Sequence, residues 1–368
     1  MSILQELLSD CIVSPRQLQE SLSLSDEYVS RLTAITDRYP IRIPPYYLGL
    51  IGPEWESDPI RKMCLPDLKQ FSIAGKADTS GEAENTVTTG MQHKYRQTAM
   101  ILTTNQCSMY CRHCFRKRMV GSSADEVARH LCEMVAYVRE LREINNVLLS
   151  GGDALVNENA RLKQYLEAFS GIGHLRYIRI GTRTPAVLPE RVYRDQELLE
   201  LLESYCSKKQ IIIVTHFNHP KELTDEARRA VRALLQAGCP VQNQTVLLKG
   251  VNDKSEVLAE LMNGLVAAGV LPYYVFQCRP ARGVMKQFQV PLLQGQRLID
   301  RAKADMSGQA KAFRYTMSHV TGKIEILGRL GDDRLLFKYH QSKYRKDESR
   351  LFSAKLGSEQ CWRPETVR

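Results

Sequence analysis

The sequence predicts an α/β fold of parallel strands joined by right-handed helical crossovers, with its chemistry gathered at one rim. Two observations predict it. Over residues 96–306, six short apolar runs alternate with six helix-like segments. The polar residues able to carry chemistry cluster where each run ends. The runs are "AMILTT", "NVLLSG", "YIRIGT", "QIIIVTH", "VQNQTVLL" and "PYYVFQC". Between and after them, helical spacing is read at 124–143, 158–169, 195–206, 224–238, 255–269 and 292–305. The first of these carries Val127, Leu131, Met134, Val138 and Leu141 on one face and starts on Ser123-Ala124-Asp125-Glu126, which reads as a capping box. No G-x-G-x-x-G follows the first run, which argues against a dinucleotide-binding domain.

Each run ends on a polar signature. The first leads into three cysteines, the second into "SGGD" (150–153), the third into "GTRTP" (181–185) and the fourth into "THFNHP" (215–220). The fifth carries Gln244 and runs into "KGVND", and the sixth ends in "QCRPARG". Side chains at the carboxyl ends of parallel strands converge on one mouth. Cys, Asp, Arg, His and Gln at six consecutive strand ends therefore read as one site, and a rigid core with chemistry at one rim predicts an enzyme.

The flanks differ in character. Residues 1–95 read as an N-terminal arm, partly helical and broken by proline in "YPIRIPPYYLGLI", with a polar loop over 75–90. Residues 307–368 read as a C-terminal extension in which "AFRYTMS", "GKIEILG" and "DRLLFKYH" alternate like strands, Gly331-Asp332-Asp333 makes a hairpin turn, and a polar basic tail drapes the surface. No apolar run approaches the roughly eighteen residues of a membrane helix. The first residues lack the pattern of a secretory signal, and ten cysteines in such a chain point to reduced thiols in a cytoplasm. Seven of them stand singly and read mostly as small buried hydrophobes. The net charge of +10 points to anionic partners: phosphate-bearing cofactors, carboxylate substrates or nucleic acid.

The most specific stretch is "TNQCSMYCRHCFRKR" (104–118), with Cys107, Cys111 and Cys114 spaced C-x3-C-x2-C. A structural zinc ion needs four ligands, so the fourth would be distant or His113. A [4Fe–4S] cube fits better, since three thiolates on one loop leave one iron open to another ligand.

"CSMYCRHC" resembles the signature of the radical S-adenosylmethionine superfamily. "PPYYLGLI", "DPIRK", "HKY", "LLSGGDAL", "IRIGTRTPAVLPERV", "THFNHP" and "QTVLLKGVND" extend the resemblance, over about residues 40–280, to the lysine 2,3-aminomutase family, of which this chain looks like a divergent member. The resemblance implies a partial (β/α)6 barrel of TIM-like type, a [4Fe–4S] cluster, S-adenosylmethionine and pyridoxal 5′-phosphate. It also implies a 5′-deoxyadenosyl radical that takes hydrogen from C3 of an amino acid, so that the amino group moves from C2 to C3. A reductant such as flavodoxin or ferredoxin and a homo-oligomer are implied with it.

Carried over residue by residue, the resemblance gives Cys107, Cys111 and Cys114 to the cluster. Ser150, Gly151, Gly152 and Asp153 go to the amino-acid end of S-adenosylmethionine, and His216 and Gln244 to its nucleoside and sulfonium, with Arg183 and His219 nearby. Arg116 stands where the family pairs an arginine with the substrate carboxylate, and Lys117 and Arg118 behind it are solvated or brace the cluster charge. Lys94 and Tyr95 match an arginine and tyrosine that hold pyridoxal phosphate, and Lys323 falls where the family has the lysine that binds it covalently. The pattern departs in four places. Thr98 replaces a second phosphate arginine, and only Gly322 remains of a glycine-rich run before Lys323. Arg279, with Arg282 beside it, replaces an aspartate that grips the ammonium of lysine, and Thr316 or a neighbour replaces the other such aspartate. An arginine repels an ammonium, so free lysine is disfavoured and an anionic amino acid such as glutamate is expected. Two other functions are compatible with the residues: a radical reaction without pyridoxal phosphate on another anionic substrate, and an iron–sulfur or zinc-bearing nucleic-acid binder, for which the converging polar rim is a poor match to a basic face interleaved with aromatics.

Overall fold

In the computed structural model, which describes residues 1–363, one open twelve-stranded sheet follows the chain in sequence order. Its strands are β1 (Thr86–Thr88), β2 (Met91–Tyr95), β3 (Thr98–Thr104), β4 (Asn146–Gly151), β5 (Tyr177–Gly181), β6 (Gln210–Thr215), β7 (Val241–Leu247), β8 (Val270–Gln277), β9 (Arg314–His319), β10 (Gly322–Arg329), β11 (Arg334–Ser342) and β12 (Leu351–Lys355). Every neighbouring pair from β3 to β9 is parallel, and the pairs at both ends are antiparallel. The parallel part, with helices between its strands, is a partial (β/α)6 barrel. One face of these strands is buried under the helices and the other lines the cavity, so burial alternates along them. Val147, Leu149, Ile178, Ile180, Ile211 and Ile213 are all fully buried.

The crossover helices at Asn159–Ser170, Gln196–Cys206, Asp225–Gln236, Ser255–Ala267 and Leu292–Ala304 lie within two residues of their sequence-based bounds. Asp195 and Thr224 cap two of them by accepting from the Leu198 and Ala227 amides. The expected helix over 124–143 is shorter and spans Leu131–Glu140. Ser123 makes a local turn to Asp125 instead of a cap, Glu126 is drawn to Arg118, and the Ala128 amide donates to the Leu102 carbonyl of β3. These contacts hold 124–130 as an irregular ribbon along the sheet.

Three further features differ from the sequence reading. The end of the expected arm adds β1 and β2 to the sheet, with Met91 opposite Ile101. The strand β9 pairs in parallel with β8, so the parallel sheet continues past residue 306. The polar tail contributes β12, an edge strand on β11. Among the described residues no helix is long and apolar enough to cross a membrane.

The N-terminal arm has a positional role. Buried Arg112 donates to the carbonyls of Tyr39 and Pro40 and to the Gln70 side chain, its amide donates to the Met63 carbonyl, and Arg42 donates to the Cys107 carbonyl. The arm thus clamps the cysteine loop from outside while the sheet supports it from inside.

Candidate active site

The carboxyl ends of β3 to β8, the start of β10 and the loop before β1 enclose one cavity of about 350 Å³. Cys107, Cys111, Cys114, Ser150, Gly151, Gly152, Asp153, His216, Gln244, Lys94, Tyr95, Arg116, Arg279 and Lys323 all line it. These residues span more than two hundred positions, and the convergence of parallel strand ends brings them together.

The cysteine loop leaves β3 and is stitched to the β4 end. The Gly152 amide donates to the Thr104 carbonyl at 2.6 Å and the Asp153 amide to the Gln106 carbonyl at 2.8 Å. Glycine is required at this contact. A Cβ on Gly152 would sit 2.1 Å from the Gln106 carbonyl oxygen, and Gly151 has φ +116° with a Cβ position 2.3 Å from the Thr104 oxygen. Gly152→Ala is therefore expected to push the cysteine loop outward, at an overpacking cost of about 1–3 kcal/mol. Iron and sulfide bound per chain after anaerobic reconstitution should fall well below the wild-type level; equal loading would contradict the assignment of this contact.

Burial raises the Cys107 thiol and lifts Cys114 to about 11. Such thiols give up their protons to a metal rather than to water. Among the described residues no three His, Cys, Asp or Glu side chains are gathered tightly enough for a single ion. Three thiols on one loop leave a corner of a four-iron cube open to another ligand, whereas a structural zinc ion needs a fourth protein donor, so this donor set fits a cube better than a zinc ion. Arg183 donates to Cys111 Sγ at 2.6 Å, to Glu222 at 2.6 Å and to Tyr47 at 3.0 Å, which puts a fixed positive charge beside the Cys111 sulfur.

Asp153 is a brace. Its carboxylate accepts from Thr182 Oγ1 at 2.6 Å, from the Arg183 amide at 2.7 Å and from the Leu155 amide at 3.0 Å. These internal partners fix the carboxylate and with it the shape of the loop, while Asp153 lines the cavity together with Ser150, Gly151 and Gly152. His219 caps the turn Pro220–Glu222 through its own ring nitrogen and lies outside the cavity lining. His216 and His113 pack edge to face at 5.5 Å. Burial, aided by Arg183, lowers His216 to about 3 and holds His113 well below its ordinary range, so both rings are neutral at physiological pH.

Arg116 is buried and already engaged. Its Nε donates to Glu82 at 2.8 Å, and its Nη1 makes long contacts to Ser150 Oγ (3.4 Å) and the Gly151 carbonyl (3.3 Å). Glu82 also binds Arg118, which in turn binds Glu126. Burial works against the Glu82 charge, but Arg116 and Arg118 overcome it and hold the carboxyl below its ordinary range. Arg118 is thus an anchor for Glu82, and Lys117 lies over the Tyr39 ring.

A second cationic group lies deeper. Lys323 Nζ sits over the rings of Tyr274 (4.7 Å) and Tyr95 (5.6 Å). Burial, with Arg179, Arg279 and Lys94 nearby, lowers it to about 7. Lys94 donates to the carbonyls of Ser80 (3.1 Å) and His319 (2.6 Å), and burial lowers it also to about 7. Arg179 reaches the same space from β5, where Asn146 holds one Nη at 2.7 Å and the buried Nε has no partner. Arg279 lies 4.0 Å over the Phe115 ring and donates one Nη to Ser318 at 2.7 Å, while its other Nη is buried without a partner. Burial brings it down to about 10, so it stays charged at neutral pH. Arg282 is exposed, and Thr316 is fully buried outside the lining; Ser318 is the neighbour that faces the cavity.

Sequence reasoning missed Glu82, Arg179 and Ser318. The arginine inside the apolar run "YIRIG" was the available signal for Arg179. Nothing in the polar loop around Glu82 marked it, because only the folded chain brings it to Arg116.

A cysteine loop at the first strand end, a glycine turn at the second and a partial barrel around one cavity define a radical S-adenosylmethionine enzyme, and the Radical SAM superfamily model matches residues 101–262. The chain is 41% identical over 341 residues to an Aquifex aeolicus protein provisionally named L-lysine 2,3-aminomutase, covering 92% of this chain and 91% of that one. It is 37% identical over 300 residues to the L-lysine 2,3-aminomutase of Fusobacterium nucleatum (81% and 69% covered) and 33% identical over 305 residues to the glutamate 2,3-aminomutase of Clostridioides difficile (82% and 71%). The chain belongs to the lysine 2,3-aminomutase family; it is a radical enzyme of the aminomutase type, with a [4Fe–4S] cluster and S-adenosylmethionine as its cofactors.

Proposed function

We propose that this enzyme moves the amino group of an acidic amino acid, such as glutamate, between C2 and C3, with pyridoxal phosphate as a further cofactor and a small flavodoxin- or ferredoxin-like protein as reductant. One observation carries the reading: the charge in the cavity. Its lining holds Lys94, Arg116, Arg179, Arg183, Arg279 and Lys323 against only Glu82 and Asp153. Glu222 pairs Arg183 from outside the lining and burial leaves the two lysines part neutral near pH 7, so Arg116, Arg179 and Arg279 carry most of the charge. Both lining carboxylates are already bound by the chain. Anionic ligands balance such a lining, and a phosphate with two carboxylates supplies the charge.

The residues fit that cargo. When bound, the cluster and S-adenosylmethionine supply a carbon radical that takes hydrogen, and pyridoxal phosphate supplies the π system across which an amino group migrates. Cys107, Cys111 and Cys114 hold the cluster, and the Ser150–Gly152 backbone, His216 and Gln244 line the S-adenosylmethionine side. Lys94 and Arg179, both in the lining, would bind the phosphate, and the buried Arg179 Nε has no partner of its own to compete for it. Tyr95 forms one wall, and Lys323 presents a neutral amine above pH about 7. Arg116, fixed by Glu82 at Nε, offers its Nη1 and Nη2 to the substrate α-carboxylate.

Arg279 and Ser318 receive the distal carboxylate. Lysine in the same pose would put an ammonium beside a charged guanidinium, a repulsion of about 4 kcal/mol at 4 Å and an effective dielectric of about 20. The relatives' names include both lysine and glutamate, and the charge at Arg279 supports the glutamate reading. Arg279→Asp is expected to cost glutamate-stimulated 5′-deoxyadenosine formation roughly 10- to 150-fold, the worth of one charged hydrogen-bonded contact, and to improve stimulation by lysine. If the wild type responds to lysine and not to acidic amino acids, the substrate reading is wrong.

A further inference from the structure

The seven cysteines outside the active site are Cys11, Cys64, Cys132, Cys206, Cys239, Cys278 and Cys361. Among the described residues, only Cys206 and Cys239 of these contact each other, with their Sγ atoms 3.4 Å apart in a hydrogen bond. Cys206 is the last residue of the helix Gln196–Cys206, just before β6. Cys239 lies in the turn Gly238-Cys239-Pro240 that enters β7. The pair sits at the amino ends of two neighbouring parallel strands, opposite the cavity, and those strands lead to His216 and Gln244.

We propose that Cys206 and Cys239 form a redox-active dithiol, a modification site that closes to a disulfide by exchange with a low-molecular-weight disulfide such as oxidised glutathione. Three features of the local structure suit them to it. The separation of 3.4 Å leaves a little over 1 Å of approach to a bond of about 2 Å. The two thiols are unequal, since Cys206 is half-buried while Cys239 is fully enclosed, so one can meet an external disulfide and the other can only resolve it. The turn is shaped for contact: Gly238 has φ +81°, and a Cβ there would lie 3.4 Å from Cys206 Cβ and 3.8 Å from its Sγ. The hydrogen bond from Cys239 also holds the Cys206 thiol below its ordinary range and raises Cys239.

The exchange balances. The Cys206 thiolate attacks one sulfur of glutathione disulfide, the S–S bond breaks and one glutathione thiolate leaves. Cys239 then loses its proton and attacks the Cys206 sulfur, releasing the second glutathione. Two electrons pass from the protein thiols to glutathione disulfide, and the two protein protons end on two glutathione thiols. The product ties the crossover into β6 to the crossover into β7.

The test uses the full-length, cluster-loaded protein under anaerobic conditions, titrated with glutathione disulfide, then denatured, alkylated and digested without reductant. Exposed Cys132 serves as the internal control for a lone thiol. The expected result is a cross-linked peptide pair containing Cys206 and Cys239, lighter by two hydrogens, that forms before half of Cys132 carries glutathione and disappears on treatment with dithiothreitol. Alkyl label on both Cys206 and Cys239 at that dose, or glutathione on Cys206 beside alkylated Cys239, would overturn the proposal. Because the wild-type chain carries the test, no folding defect of a variant can confuse it.

Discussion

Cys111→Ala is expected to lose cluster loading and anaerobic cleavage of S-adenosylmethionine together, by more than about 100-fold, since removing even a residue that only hydrogen-bonds to a metal ligand costs about 10- to 100-fold. Cys111 is one of three thiols on the loop, and its sulfur is also the acceptor for Arg183. Removing it takes away the proposed ligand and leaves the buried arginine with Glu222, Tyr47 and the His216 carbonyl. The measurement is 5′-deoxyadenosine produced with dithionite after reconstitution with iron and sulfide, read beside the visible absorption of the cluster. The fold should survive, because the loop remains held by Arg112 and by the Gly152 and Asp153 amides. Wild-type 5′-deoxyadenosine formation by the alanine variant would remove Cys111 from the cluster.

The second large effect is at Lys323. Borohydride treatment of protein loaded with pyridoxal phosphate should fix the cofactor to Lys323, and Lys323→Ala should abolish that fixation entirely. Lys94 is the control, because it is an equally shifted lysine in the same cavity whose amine is held by two carbonyls. The pH dependence follows from the shift. Burial lowers Lys323 from 10.5 to about 7, so the reactive neutral amine is lost as pH falls through 7 and is fully present by about pH 8. An ordinary lysine near 10.4 would be neutral in roughly one molecule in 2,500 at pH 7; here about half are. Attachment rate should therefore rise about tenfold per pH unit below 7 and level off above it. A rate that keeps climbing to pH 10, or a label on Lys94, would displace Lys323 from the role.

The barrel was legible because its determinants are local. Six apolar runs, each as long as a strand and separated by amphipathic helices, leave few alternatives. The cysteine spacing and the Ser150-Gly151-Gly152 turn were legible because they are contiguous, and the 2.1 Å approach at Gly152 explains why that turn tolerates no side chain. Glu82 was illegible for the opposite reason: its partners Arg116 and Arg118 lie more than thirty residues away, and a polar loop carries no periodicity to point at them. The helix expected over 124–143 failed where tertiary contacts outbid local propensity, with Glu126 drawn to Arg118 and the Ala128 amide to β3. Asp153 was legible as a site residue from its motif, but the three internal donors that fix its carboxylate were not. A motif identifies which residues matter more readily than it shows which atoms they offer.

The measurement that tests the central claim most directly is anaerobic reconstitution with iron, sulfide, S-adenosylmethionine and pyridoxal phosphate, followed by a panel of amino acids scored for stimulated 5′-deoxyadenosine and for the β-amino product. Stimulation by glutamate or another acidic amino acid, accompanied by its β-isomer and dependent on pyridoxal phosphate, is the predicted result. Stimulation by lysine alone, or acid-stimulated cleavage that proceeds unchanged without pyridoxal phosphate, would contradict it.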